Sequence, residues 1–318
     1  MLGVHKVSII GSGHVGESAA FIMATKGIAD EIVMTDVVEN LPEGKALDMM
    51  QAGPILGYDT KITGVSKGEI YKSLEGSDVI IMTAGFPRKP GMSRDDLLSK
   101  NIPIMKAVAE NVKKYAPDSI FIIVANPLDA MAYAARKVTG FADNRIIGQA
   151  GALDSARFSA FLAMEKNVSV KNITAMTLGS HGDDMVPLRG NSSIYGVPVN
   201  KCLENDKLES IIDRTRMGGG EIVKLLGTSA YWAPAAGACR MVESILKDQK
   251  EVIPCHAFLH GEYGINDLPV GVPVKLGKGG VEEIIEMDLN DEDMTALKKS
   301  GDHVKEICDR VEELGLLK

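Results

Sequence analysis

Hydrophobic positions in the first half of the chain alternate between two periods. Short runs rich in apolar and β-branched residues occupy 4–10, 31–35, 61–64, 79–82 and 120–124, and the last three are short, continuous runs of the kind found in strands buried on both faces. Between them, residues 15–26, 42–51, 99–115 and 128–138 carry apolar residues at helical spacing. Strand–helix–strand alternation predicts a parallel sheet covered on both faces, and right-handed crossovers make it doubly wound.

The pattern changes near residue 145. A long helical segment is predicted near 154–166, strands at 173–178 and around 193–199, then helices at 208–226 and 235–246. Late strands follow near 252–260 and 272–287, with Leu276-Gly-Lys-Gly-Gly280 as a turn signal. An amphipathic helix closes the chain over about 291–314, with Asp291 placed as its N-cap. The fold class is therefore read as α/β: a Rossmann-type doubly wound parallel sheet over residues 1–145, followed by an α+β catalytic domain over 146–318. No linker separates them, so the lobes should pack closely. Gly218-Gly-Gly220 interrupts a helical pattern, and close packing of that helix on the first domain would account for it.

Composition narrows the function. At 318 residues, 45% hydrophobic and 25% charged, the chain is ordinary for a soluble globular enzyme. The longest apolar runs are strand-sized, and Val7-Ser-Ile-Ile10 begins almost at once, so neither a membrane span nor a secretory signal is expected. The cysteines, Cys202, Cys239, Cys255 and Cys308, show no paired spacing, which fits reduced thiols in the cytoplasm and no metal site. A net charge of −8 argues against a nucleic-acid partner. If the substrate is an anion, an acidic chain must supply a local basic island.

Gly11-Ser-Gly-His-Val-Gly16 follows the first strand and opens the first helix. Gly11 suits a tight turn, Gly13 a backbone that approaches a pyrophosphate, and Gly16 close helix–strand packing. The helix N-terminus then offers free N–H groups to phosphates. Asp36 lies twenty residues beyond Gly16, where a carboxylate can accept both adenosine-ribose hydroxyls. No arginine flanks it to receive a 2′-phosphate, so NAD is favoured over NADP. His14 is read as packing near the cofactor phosphates or facing solvent rather than as catalytic.

Removing a proton while hydride leaves a secondary alcohol suits a neutral imidazole. Of six histidines, His181 in Gly179-Ser-His-Gly-Asp183 has the best setting, because its neighbouring glycines admit substrate. His5, His256, His260 and His303 are read as surface or core residues. In Leu153-Asp-Ser-Ala-Arg157, Asp154 and Arg157 share a helix face: the first can orient an imidazole, the second can clamp a carboxylate. Arg88, Lys89 and Arg94 lie in a proline- and glycine-rich loop after a buried strand, which supplies the basic island and a candidate lid.

These motifs, with Thr83-Ala-Gly-Phe-Pro-Arg88 and Val124-Ala-Asn-Pro127, resemble the lactate/malate dehydrogenase superfamily, most of all its lactate-dehydrogenase-like malate dehydrogenase branch. The resemblance covers essentially the whole chain. It implies NAD as cofactor, held by Gly11, Ser12, Gly13, His14, Val15, Gly16 and Asp36, with Asn126 contacting the nicotinamide ribose or the substrate C2 oxygen. It implies His181 as acid/base with Asp154 as its orienting partner, Arg157 on the C1 carboxylate and Arg94 on the C2 oxygen. It puts Arg88 where malate enzymes carry arginine and lactate enzymes glutamine, so the expected substrate pair is malate and oxaloacetate. The family is commonly dimeric or tetrameric, so a homodimer or homotetramer is expected. Ser229 and Ala230 fall where relatives line the substrate pocket, without a firm register. Lactate dehydrogenase remains open if Arg88 points outward. An NAD-dependent glycosidase or a non-catalytic NAD-binding module would have less use for the lid arginines.

Overall fold

Strands form where the first half carries uninterrupted apolar runs. In the computed structural model, which describes residues 4–68, 70–87 and 92–317, these are β1 (Lys6–Ile10), β2 (Glu31–Thr35), β3 (Lys61–Val65), β4 (Val79–Met82) and β5 (Ile120–Ile123). All four residues of β4 and of β5 are buried, as expected for strands sandwiched between helices. The connecting helices are α1 (His14–Lys26), α2 (Leu41–Leu56), α3 (Arg94–Tyr115) and α4 (Leu128–Thr139). Helix α3 starts five residues before the predicted helix, because Ser93 and Asp96 form a reciprocal capping box. Arg94 is thus the first residue of a helix rather than part of a loop.

The second half contains β6 (Ile146–Gly148), α5 (Ala150–Lys166), β7 (Ile173–Thr174), β8 (Thr177–Leu178), β9 (Val186–Pro187), β10 (Ser193–Ile194) and β11 (Val197–Pro198). These are followed by α6 (Val199–Cys202), α7 (Asn205–Leu226), α8 (Trp232–Leu246), β12 (Glu251–His260), β13 (Asn266–Gly277), β14 (Gly280–Ile284) and α9 (Asp291–Glu313). The run expected as one strand at 173–178 divides into β7 and β8, which enter different small sheets. The N-cap of α9 is Asn290, whose side chain accepts the Asp293 N–H at 2.8 Å, and not Asp291. The Leu276–Gly280 turn joins β13 to β14, so the run expected as one strand at 272–287 divides there, and the turn does not link it to the 252–260 strand.

Among the described residues, β3-β2-β1-β4-β5-β6 run parallel, the strand order of a doubly wound dinucleotide fold. The sheet does not stop there. β6, a three-residue strand too short to stand out in the sequence, pairs antiparallel with β12 at Gly148 and His256, and β13 and β14 extend the sheet to nine strands. The two halves therefore share one sheet and one main hydrophobic core, with a smaller cluster around Phe158, Leu162 and Leu208. No helix of the described residues is long and apolar enough to cross a membrane.

Candidate active site

The glycine turn sits at the carboxyl ends of the parallel strands, where open α/β sheets bind ligands. Gly11 has φ +104°, and a Cβ there would lie 2.6 Å from the Ala84 nitrogen, so only glycine lets β1 run so close to the end of β4. A Cβ on Gly16 would strike the Gly11 carbonyl. A Cβ on Gly13 would meet nothing within 4 Å, leaving bare backbone at the N-terminus of α1. That is the arrangement an incoming pyrophosphate needs. Asp36 Oδ2 accepts the Ser12 N–H at 2.7 Å and Oδ1 accepts the Val38 N–H at 3.0 Å, which fixes a half-buried carboxylate beside the turn. These residues fit a dinucleotide.

Two neighbours of this turn escape sequence reasoning. Lys45, from α2, donates to the Ser12 carbonyl at 2.7 Å and pairs with Glu17, so a cation stands beside the phosphate cradle. A lone lysine in a helical pattern carries no signal, since its partner Ser12 is 33 positions away. Tyr231, from the uncertain 228–233 segment, stacks on His14 with ring centroids 5.0 Å apart. His14 is mostly exposed and its Nδ1 lies 2.9 Å from Glu17. Ser229 is exposed and Ala230 half-buried.

The candidate chemistry lies in the second half. His181 Nδ1 is 2.9 Å from Asp154 Oδ2, and Asp154 Oδ1 accepts from Arg157 Nη1 at 3.1 Å. Asp154 is only 2% exposed and its partners Arg157 and His181 are 11% and 18% exposed, so this is a largely buried triad and not an ion pair on a helix surface. Both residues sit in the second turn of α5, which begins at Ala150 rather than near residue 154. Burial disfavours the His181 imidazolium, but the charge and hydrogen bond of Asp154 outweigh it. Arg157 opposes and Asp129 reinforces, so the pKa of His181 stands above the ordinary value of 6.5.

Backbone and small residues hold this triad. Gly179 has φ +90° and exchanges two backbone hydrogen bonds with Gly271 of β13, at 2.8 and 3.0 Å. The Ser180 N–H donates to Ser300 Oγ of α9 at 2.8 Å. Gly218 faces the Arg157 stem: a Cβ would come within 2.9 Å of its Cδ, and one on Gly219 within 3.6 Å of Nη2. The glycine run thus makes room for Arg157 on α5. It does not serve packing on the first domain, as the sequence reading had it.

Of the candidate lid cations, Arg88 and Lys89 lie outside the described residues. Arg94 is exposed and turned to α9, with Nη1 2.8 Å from His303 Nε2, while its neighbour Asp95 pairs with Arg310 at 2.6 Å. The structure therefore does not join Arg94 to the His181 triad, and it gives His303, read as a bland residue, a defined partner. Asn126 precedes α4 and its carbonyl accepts from Asn101 Nδ2 at 2.7 Å. Asn101 also accepts the Phe86 N–H and donates to the Phe86 carbonyl, tying the base of the lid to the Asn126 turn. As an isolated asparagine inside a helix, it carried no sequence signal. Among the described residues no group of His, Cys, Asp and Glu could hold a metal ion.

A bare-backbone phosphate cradle and an imidazole–carboxylate–guanidinium triad define the layout of a dinucleotide-dependent oxidoreductase acting on an acid. Residues 5–148 match the lactate/malate dehydrogenase NAD binding domain, and residues 151–314 match the lactate/malate dehydrogenase alpha/beta C-terminal domain. The chain belongs to the lactate/malate dehydrogenase family. It is 51% identical over 309 residues to a malate dehydrogenase of Thermomicrobium roseum, covering 97% of this chain and 99% of that one. The solved malate dehydrogenase of Salinibacter ruber superposes with a TM-score of 0.92 at 47% identity, covering 97% of this chain and 98% of that one. A Cryptosporidium parvum lactate dehydrogenase, solved with lactic acid and nicotinamide adenine dinucleotide, superposes with a TM-score of 0.94 at 38% identity, covering 98% and 99%. Fold alone therefore does not separate the two substrates.

Proposed function

We propose that this chain is an NAD-dependent malate dehydrogenase that interconverts malate and oxaloacetate. The observation that carries the reading is the buried His181–Asp154–Arg157 triad in a chain about half identical, nearly end to end, to proteins named malate dehydrogenase. NAD, when bound, supplies a nicotinamide ring that accepts the C2 hydride of malate and returns it in the reverse reaction. Gly11, Ser12, Gly13, His14, Val15, Gly16 and Asp36 would hold it, and Asn126 would contact its nicotinamide ribose or the substrate C2 oxygen. The carboxylate of Asp36 would repel a 2′-phosphate, which favours NAD over NADP.

Arg157 clamps the C1 carboxylate of the substrate through its guanidinium. His181 takes the C2 hydroxyl proton through Nε2, the ring nitrogen not occupied by Asp154, and Asp154 stabilises the imidazolium so formed. Arg94 exchanges His303 for the C2 oxygen as substrate enters. Arg88 meets the distal carboxylate and so rejects pyruvate, which would leave an enclosed guanidinium without its anion. The work divides near residue 145: residues 1–145 hold the cofactor and lend Arg88 and Arg94 to the substrate, while 146–318 carry His181, Asp154 and Arg157.

The chain acts as a homodimer or homotetramer. Leu47, Ile55 and Leu56 of α2, Leu225 and Leu226 at the end of α7, and Trp232 of α8 are all more than half exposed, which supports burial against another copy. Four free cysteines, three of them buried, support a cytoplasmic setting, and the acidic net charge supports the absence of a nucleic-acid partner.

Initial rates with NADH and NADPH against oxaloacetate, pyruvate and a branched 2-oxo acid test the reading. NADH with oxaloacetate should be fastest; faster turnover of pyruvate would make this a lactate dehydrogenase. Arg88→Gln should move preference toward pyruvate by up to roughly 10⁴-fold. An unchanged ratio would place discrimination elsewhere.

A further inference from the structure

Behind the triad lies a second imidazole–carboxylate pair that the proposed reaction does not use. His256 of β12 is 1% exposed and Asp129 of α4 is 3% exposed, and His256 Nε2 stands 3.0 Å from Asp129 Oδ1. The two groups approach closely without an aligned hydrogen bond, and Asp129 Oδ1 and both ring nitrogens of His256 are buried without a hydrogen-bond partner among the described residues. Buried polar atoms without aligned partners cost stability rather than supply it, so their place in the fold asks for another account.

That place is the junction of the two halves. Asp129 is in the first turn of α4, three residues after Asn126. His256 lies opposite Gly148, the last residue of the parallel sheet, where a Cβ would come within 2.8 Å of the His256 Cβ. On its other side the ring packs on Gly271, where a Cβ would come within 3.1 Å of Cε1. Gly271 is the residue whose backbone exchanges both hydrogen bonds with Gly179, two residues before His181. One imidazole thus touches the strand that pairs with the catalytic loop and the helix that follows the nicotinamide-side turn.

We infer that the His256–Asp129 pair is a positioning device for hydride transfer, fixing the Asn126 turn relative to the His181 loop across the domain junction. The inference rests on the proposed role of His181. The charged groups facing His181 are Asp154 and Arg157 from α5 and Asp129 from α4. Asp129 in turn faces His256 of β12 and Cys308 of α9, whose thiol its charge and burial push up. Asp129 therefore acts on the reaction twice, by holding α4 in place and by adding negative charge behind the imidazole.

The test uses the full chain with Asp129→Asn, His256→Leu and His256→Gln, beside His181→Asn. The readouts are NADH affinity, the pH profile of kcat, and the isotope effect with NADH deuterated at the transferred position. Asp129→Asn should keep NADH affinity, lower kcat by about tenfold, raise the isotope effect and move the His181 limb of the profile to lower pH. His256→Leu should lower kcat and raise the isotope effect, and His256→Gln, which keeps a polar group facing Asp129, should recover part of both. A fall in Tm with wild-type pH profile and isotope effect would make the pair merely structural and overturn the inference. If His256→Leu does not fold, the near-isosteric Asp129→Asn decides alone. Retained turnover in His181→Asn would instead overturn the role of His181; an inactive His181→Asn beside unaltered Asp129 and His256 variants would sink only the inference drawn here.

Discussion

The cofactor end and the acid end of this molecule are built from different materials. Around the nucleotide turn, the work is done by main chain: glycines that clear space, N–H groups at the start of α1, and Asp36 held by the N–H groups of Ser12 and Val38. All of it lies within residues 11–38, and each part forms as β1, α1 and β2 form. At the acid end, side chains from α5 and the loop after β8 meet in a buried triad, and β13, α7 and α9 supply the residues that hold it. A backbone cradle tolerates change outside its glycines and Asp36. A side-chain triad depends on every surface that touches it. Damage at the two ends should therefore look different in a kinetic experiment.

The largest expected effect is at the imidazole. His181→Asn should cost roughly 10²–10⁴ in kcat while NADH titration by fluorescence stays as in the parent. Equal losses in both would erase the distinction between the ends. Asp36→Ser is the converse: NADH affinity should fall by about tenfold or more and the preference over NADPH narrow, with the oxaloacetate-to-pyruvate ratio unmoved.

Acidity sharpens the comparison. With His181 as the proposed base, malate oxidation needs it neutral at the start, so the rate should fall as pH drops through its pKa. Because Asp154 holds that pKa above 6.5, the limb should lie above it, and Asp154→Asn should move it down in pH–rate profiles of both directions. Asp36 variants should leave the limb in place. The smallest effects come from α7. Gly218→Ala pushes on Arg157 and should raise KM for oxaloacetate several-fold, since a shifted clamp weakens a charge-assisted hydrogen bond. Gly220→Ala meets open space and should only stabilise the helix, by about 1 kcal/mol in thermal melts. Equal KM values for the two alanine variants would show that the glycine run is not a slot for Arg157.

Legibility followed the same divide. The glycine turn, Asp36 and the strands β2 and β4 could be read at their observed positions because spacing along the chain is their signal. His181, Asp154 and Arg157 could be singled out one segment at a time, and the resemblance joined them. Ser300, Asn101, Lys45 and His256 could not be found, since each is an unremarkable residue whose partner is more than fourteen positions away. Arg94 was placed on a mobile-looking loop because a proline–glycine run masks a capping box formed by Ser93 and Asp96.

What the sequence determined alone is what short-range physics enforces: alternation of apolar strands with amphipathic helices, a turn that only glycines can make, and a carboxylate at a fixed offset from it. The tertiary structure decided the joining of the halves through β6 and β12, the burial of the triad, the use of Gly218 as room for Arg157 and the pairing of His256 with Asp129. Those depend on distances between residues far apart in the chain, which no local propensity encodes until packing of the core brings them together.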